Sequence, residues 1–178
     1  MKLTTEDMRA RGYDSDTIAN EERLQAHYRA GLALIPIIAE AFTGVTLGHG
    51  VGLSEGRALD DYEDAATRAA CRAADEKEDW SRVTSDQLCH FSSSLSFFDQ
   101  AGMRFHLPAF LIADLRGEFG FGMAFCLTYS GRPYDDQFGL LSAAQRAVVR
   151  QFLLHIAESP DCQYQRPDIL RALRDYWI

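Results

Sequence analysis

A chain of 178 residues with 47% apolar and 25% charged residues can bury a core as one domain, which excludes a disordered polymer and makes a structural metal or disulfide unnecessary. Its 18 Lys and Arg stand against 26 Asp and Glu, a formal charge of -8 that disfavours nucleic acid and anionic membrane surfaces and suits a basic protein partner. No apolar run reaches the ~18 residues of a membrane span, the N-terminus MKLTTEDMRARGYDSD lacks a signal-peptide core, and Cys71, Cys89, Cys126 and Cys162 lie far apart as expected of reduced thiols, so a cytoplasmic protein is expected.

Residues 1–19 are polar and read as a flexible N-terminal arm, pinned by Tyr13 and Ile18, ahead of a single helical domain over 20–178. Asn20 can cap a helix in which Leu24, Tyr28, Gly31 or Leu32, and Ile35 recur on one face. Pro36 clashes with the carbonyl four residues earlier, which predicts a kink or break, then a second piece to Ala41 with Gly44 as its stop. The stretch GVTLGHGVGLSEG, Gly44 to Gly56, reads as a glycine-rich loop whose Val45, Leu47, Val51 and Leu53 dip toward the core. Ser54 can cap an alanine-rich helix running to about Ala74. DEKEDW at 75–80 reads as its hydrated end, with Trp80 folding back onto the body. Ser85 starts a short helix carrying Leu88 and Phe91, and the serines at 92–94 allow a break.

The most apolar stretch is LSFFDQAGMRFHLPAFLIADL, Leu95 to Leu115. Gly102 is placed to end a helix in the left-handed conformation, MRFHLP reads as an extended connection, and Pro108 opens a central helix to about Arg116. Ala124–Tyr129 follows as a short strand, with SGRPYDD as turn chemistry. Ser142 and Gln145 have capping-box spacing, opening a helix with Val148, Val149, Phe152, Leu153 and Ile156 that ends before Pro160. Pro167 opens a last helix with Ile169, Leu170, Leu173 and Tyr176 inward. The sum is a mainly α fold, a compact bundle-like array of six to seven helices with room for one short β-hairpin.

Four segments, LGHGVGLSEGRALDDY at 47–62, EDW at 78–80, the 95–115 stretch and LSAAQRAVVRQFL at 141–153, resemble a family of small soluble bacterial proteins of unknown function. The resemblance covers roughly residues 35–155, its most specific part is GMRFHLPAF, and the tail after 160 contributes nothing to it. It implies a shared fold and assigns no chemistry.

No HExxH, GxSxG, P-loop, GxGxxG or CxxC occurs. GHGVG before Ser54 could cradle an anion with its amides, but it lacks a phosphate-loop lysine, and the glycines equally serve a tight turn. Cys89 and His90 are adjacent and poorly placed for joint ligation with His106 or Cys71, while Asp60, Asp61 and Asp64 read as solvated carboxylates, so no metal site is expected. For thiol catalysis, Cys89 or Cys126 would need a histidine, and the available set is His106 with Asp99 or Asp114. His106, framed by Phe105 and Leu107, is the polar residue of greatest interest. Asp99 and Arg104 are expected to pair across the Gly102 turn.

Two readings follow. The first is a non-catalytic acidic cytoplasmic protein that binds another macromolecule, a basic protein being the best fit, in an inhibitory or immunity-type role. Its surface would comprise Asp75, Glu76, Glu78, Asp79, Trp80 and Arg104, with no cofactor. The second is a small hydrolase or ligand-binding enzyme using the Gly44–Gly56 loop with His49 or His106, for which Asp99 and Cys89 are the remaining catalytic candidates.

Overall fold

The computed structural model describes residues 3–128 and 133–178, apart from the side chain of Asp161. Among these residues there are ten α-helices, α1 (Thr5–Ala10), α2 (Ser15–Ala41), α3 (Leu53–Asp60), α4 (Ala65–Ala74), α5 (Ser85–His90), α6 (Gln100–Leu115), α7 (Ala124–Thr128), α8 (Asp135–Phe138), α9 (Ala143–Glu158) and α10 (Arg166–Asp175). Short 3-10 turns occupy Trp80–Arg82, Ser92–Ser96 and Pro160–Cys162. The chain is mainly α, but the expected count of six to seven helices is too low, and no β-strand occurs among the described residues. The expected strand at 124–129 is helix over Ala124–Thr128, and Tyr129 lies outside the described residues.

Much of the undercount comes from local caps. Thr4 and Asp7 form a reciprocal capping box that starts α1 inside the segment expected to be a loose arm. Asp14 accepts from the amide of Thr17 at 2.8 Å, so α2 begins at Ser15 rather than near Asn20. The alanine-rich helix is divided because Tyr62 adopts a φ of 57° and Asp64 re-caps the chain through the amide of Thr67 at 2.8 Å.

Neither internal proline ends or begins a helix. α2 runs unbroken through Pro36. Pro108 lies inside α6 rather than at its start. An internal proline removes one helical hydrogen bond and costs about 3 kcal/mol. Burial of a single large apolar side chain contributes about 1.5–3 kcal/mol, and α6 fully buries Met103, Phe105, Leu107, Phe110 and Leu111. Packing therefore outweighs the local penalty. The expected stop at Gly102 is instead the first turn of α6, where the Asp99 carboxylate accepts from the Gly102 amide at 2.8 Å.

α6 is buried around most of its girth and forms the centre of the molecule. α2, α5 and α8 pack against it, α9 packs on α2, and α10 packs on α9 and α7. The Ser142–Gln145 capping box is present in both directions, at 3.2 and 3.0 Å. Gln145 also donates to the Ala41 carbonyl at 3.2 Å, tying the start of α9 to the end of α2. The C-terminal tail completes the core: Trp177 is 1% exposed and donates its indole N–H to the Leu127 carbonyl at 2.9 Å. On α10 the inward residues are Ile169, Ala172 and Leu173, whereas Leu170 faces out. α2 likewise presents Ile18, Gly31 and Ile38 inward and leaves Tyr28 exposed.

Candidate functional site

The glycine-rich loop, Asp99, His106 and Asp75 converge on one side of α6. The loop reaches the helix by backbone contact. A Cβ on Gly50 would sit 2.5 Å from the Gly102 amide nitrogen, and one on Gly102 would strike the Val51 carbonyl. Only paired glycines permit that approach. Asp99 locks it, because one carboxylate oxygen accepts from Gly102 at 2.8 Å and from Val51 at 3.0 Å.

One turn beyond Gly102 on α6, His106 is 1% exposed. Its Nδ1–H donates to the Gly102 carbonyl at 2.8 Å. The ring stacks on Phe98 at 4.5 Å and meets Phe105 edge-on at 4.9 Å. Burial pushes its pKa down to about 4, overcoming the Gly102 bond and the charges of Asp75 and Asp99. The imidazole is therefore neutral at pH 7. With Nδ1 as the protonated nitrogen, Nε2 is left as an acceptor.

Across from His106, Asp75 organises the start of α3. Its carboxylate accepts from the Ser54 amide at 2.8 Å, the Ser54 hydroxyl at 2.7 Å and the Glu55 amide at 3.1 Å. Arg72 pairs with Glu55 at 2.9 Å and joins α4 to α3. Glu76 gathers the amides of Lys77, Glu78 and Asp79 at 3.0, 2.9 and 3.1 Å, and these bonds hold its carboxyl below the usual range. Between these groups lies a cavity of about 250 Å³ lined by Ser54, Asp75, Glu76, Gln87, Phe91 and His106, among others.

The remaining sequence candidates disperse. His49 is exposed on the loop. Cys89 donates its thiol to the Glu118 carbonyl at 3.3 Å. Asp114, whose carboxyl is raised by burial, lines a separate cleft of about 210 Å³ with His27 and Cys162. Arg104 donates to Gln145 at 3.2 Å rather than pairing with Asp99. Trp80 is buried and donates its indole N–H to the Phe42 carbonyl at 3.0 Å, while Glu78 remains exposed. Asp79 caps the Trp80–Arg82 turn through Ser81 at 3.0 Å. Asp61 pairs with Arg57 and Asp64 caps α4. No group of three or more metal-ligating side chains occurs among the described residues. No helix among them is long and apolar enough to cross a membrane.

The sequence points to His106, Asp99 and the glycine loop, but it expects a helix end at Gly102 and an extended connection at His106 where both lie inside α6. It took Asp75 and Glu76 for solvated surface charge. The missed signal was spacing: Asp99 precedes Gly102 by the interval of an N-cap bond, as Ser142 precedes Gln145.

No curated protein and no solved structure matches this chain. A family described as a family of unknown function, DUF6714, matches residues 32–178, reaching through the tail that carries Trp177 and well past the 35–155 expected from the quoted segments. The match takes in α3 to α10 and every residue around the His106 cavity. The chain belongs to the DUF6714 family.

Proposed function

We propose that the protein is a non-catalytic acidic binding protein of the cytoplasm whose recognition site is the His106 cavity, and whose partner is a basic protein presenting a lysine or arginine side chain. The observation that carries this reading is the grouping at one cavity of neutral His106, whose Nδ1–H is committed to Gly102, with the carboxylates of Asp75 and Glu76. Phe91 adds an aromatic face of the kind that attracts a cation. A volume of about 250 Å³ is below the ~300–1,000 Å³ typical of small-molecule pockets and suits one inserted side chain. The formal charge of -8 favours encounter with a basic partner over nucleic acid. Cytoplasmic location and the bacterial origin implied by the GMRFHLPAF resemblance belong to the same proposal.

A hydrolase using the glycine loop has less support. His49 is exposed, and the Ser54 hydroxyl already donates to Asp75 at 2.7 Å. The test is calorimetric titration with a lysine-rich peptide and an equally long glutamate-rich one. The lysine peptide should bind selectively, and Ala74→Phe, which fills the cavity from the exposed end of α4, should weaken it about tenfold or more. Binding that is absent, or untouched by Ala74→Phe in a folded variant, overturns the proposal.

A further inference from the structure

A second cavity, of about 240 Å³, lies between α2, α6 and the Trp80–Arg82 turn. Val83 lines both cavities, so the chain just after that turn is shared by the two. The walls of the second are mainly apolar, with Ile35 and Ala39 from α2, Ile112 and Ala113 from α6, and Trp80 and Leu88. Charge enters at one place. Arg116, at the end of α6, lines the cavity and is exposed, and its guanidinium has no hydrogen-bond or ion-pair partner among the described residues. Arg57, Arg72, Arg82, Arg146, Arg171 and Arg174 are each paired with carboxylates, whereas among the described residues Arg116, like exposed Arg11, Arg23 and Arg29, is not, and of these four it is Arg116 that lines the cavity. The two hydroxyls at the cavity are also committed, Ser81 donating to Asp79 at 2.7 Å and Ser85 to Glu118 at 2.6 Å.

We infer that this cavity binds a small apolar carboxylate, with the hydrocarbon between α2 and α6 and the carboxylate paired with Arg116. Size sets the ligand class. An apolar cavity of about 150 Å³ accommodates benzene. Scaling by volume, this one takes about ten non-hydrogen atoms, the size of a medium-chain fatty acid or an arylpropionic acid. A guanidinium engages a carboxylate through two parallel N–H donors, so Arg116 can hold the acid head at the rim while the tail leaves water. The site is distinct in chemistry from the His106 cavity, which offers acceptors, and it does not depend on that cavity's role.

Trp80 in the wall supplies the readout. The full-length protein would be titrated with octanoate, and with octanol as the uncharged control of equal chain length, by intrinsic tryptophan fluorescence and calorimetry. Octanoate should perturb the fluorescence and bind more tightly than octanol. Arg116→Gln, a change at an exposed side chain, should weaken octanoate about tenfold and leave octanol unchanged. Ala39→Phe should abolish both by filling the cavity. No octanoate binding at millimolar concentration overturns the inference. So does octanoate affinity that Arg116→Gln leaves unaltered. If Ala39→Phe fails to fold, the Arg116→Gln comparison still decides.

Discussion

Lowering the pH should destabilise this protein through His106 in a calculable way. The imidazole is neutral in the fold, with a pKa of about 4, and titrates near 6.5 when the chain unfolds. The unfolded state therefore binds more protons between those values. The stability due to the neutral ring is fully present above pH 6.5 and is lost as the pH falls toward 4. Moving from pH 7 to 4.5 should remove about 2–3 kcal/mol, a large share of the ~5–15 kcal/mol expected of such a domain. Other groups titrate in the same window, so the assay compares wild type with His106→Asn by urea unfolding at pH 7, 5.5 and 4.5. The variant should be less stable at pH 7, yet its stability should fall by about 2–3 kcal/mol less between pH 7 and 4.5. Parallel pH profiles for the two proteins would refute the reasoning. So would an imidazole pKa above 6 by NMR.

Phe110 is fully buried among Phe98 and Phe119, so Phe110→Ala should cost about 3–5 kcal/mol in chemical denaturation, and a loss below about 1 kcal/mol would contradict its central place. Gly102→Ala drives a methyl into the Val51 carbonyl and should cost about 1–3 kcal/mol, while Gly117→Ala, with open space around its Cβ, probes left-handed strain alone. Asp75→Ala leaves the Ser54 and Glu55 amides without their acceptor and should cost about 1–3 kcal/mol, whereas removing exposed Glu78 should change stability by less than about 0.5 kcal/mol. Tyr62→Gly relieves the left-handed residue between α3 and α4 and should raise the urea midpoint, corresponding to about 1 kcal/mol.

By itself the sequence determined the helical class and several of its boundaries, because those features depend on neighbours a few residues apart. The Ser142–Gln145 box and the proline-started α10 are examples, since a cap needs only its own first turn. The crowded apolar stretch at 95–115 likewise had to be core, whatever its conformation. Tertiary structure decided what local rules weigh wrongly. Pro108 stays inside a helix because the energy of burying the residues around it exceeds the lost hydrogen bond, and α2 likewise continues through Pro36. Gly50 and Gly102 owe their identity to each other, across about fifty residues of chain, and neither position reveals that contact alone. The acidic run at 75–79 reads as solvated charge until the fold brings Ser54 and Glu55 to Asp75 and curls the chain around Glu76. The same convergence puts His106 at a cavity wall beside Asp75, a juxtaposition set by how α3, α4 and α6 pack and by no spacing along the chain.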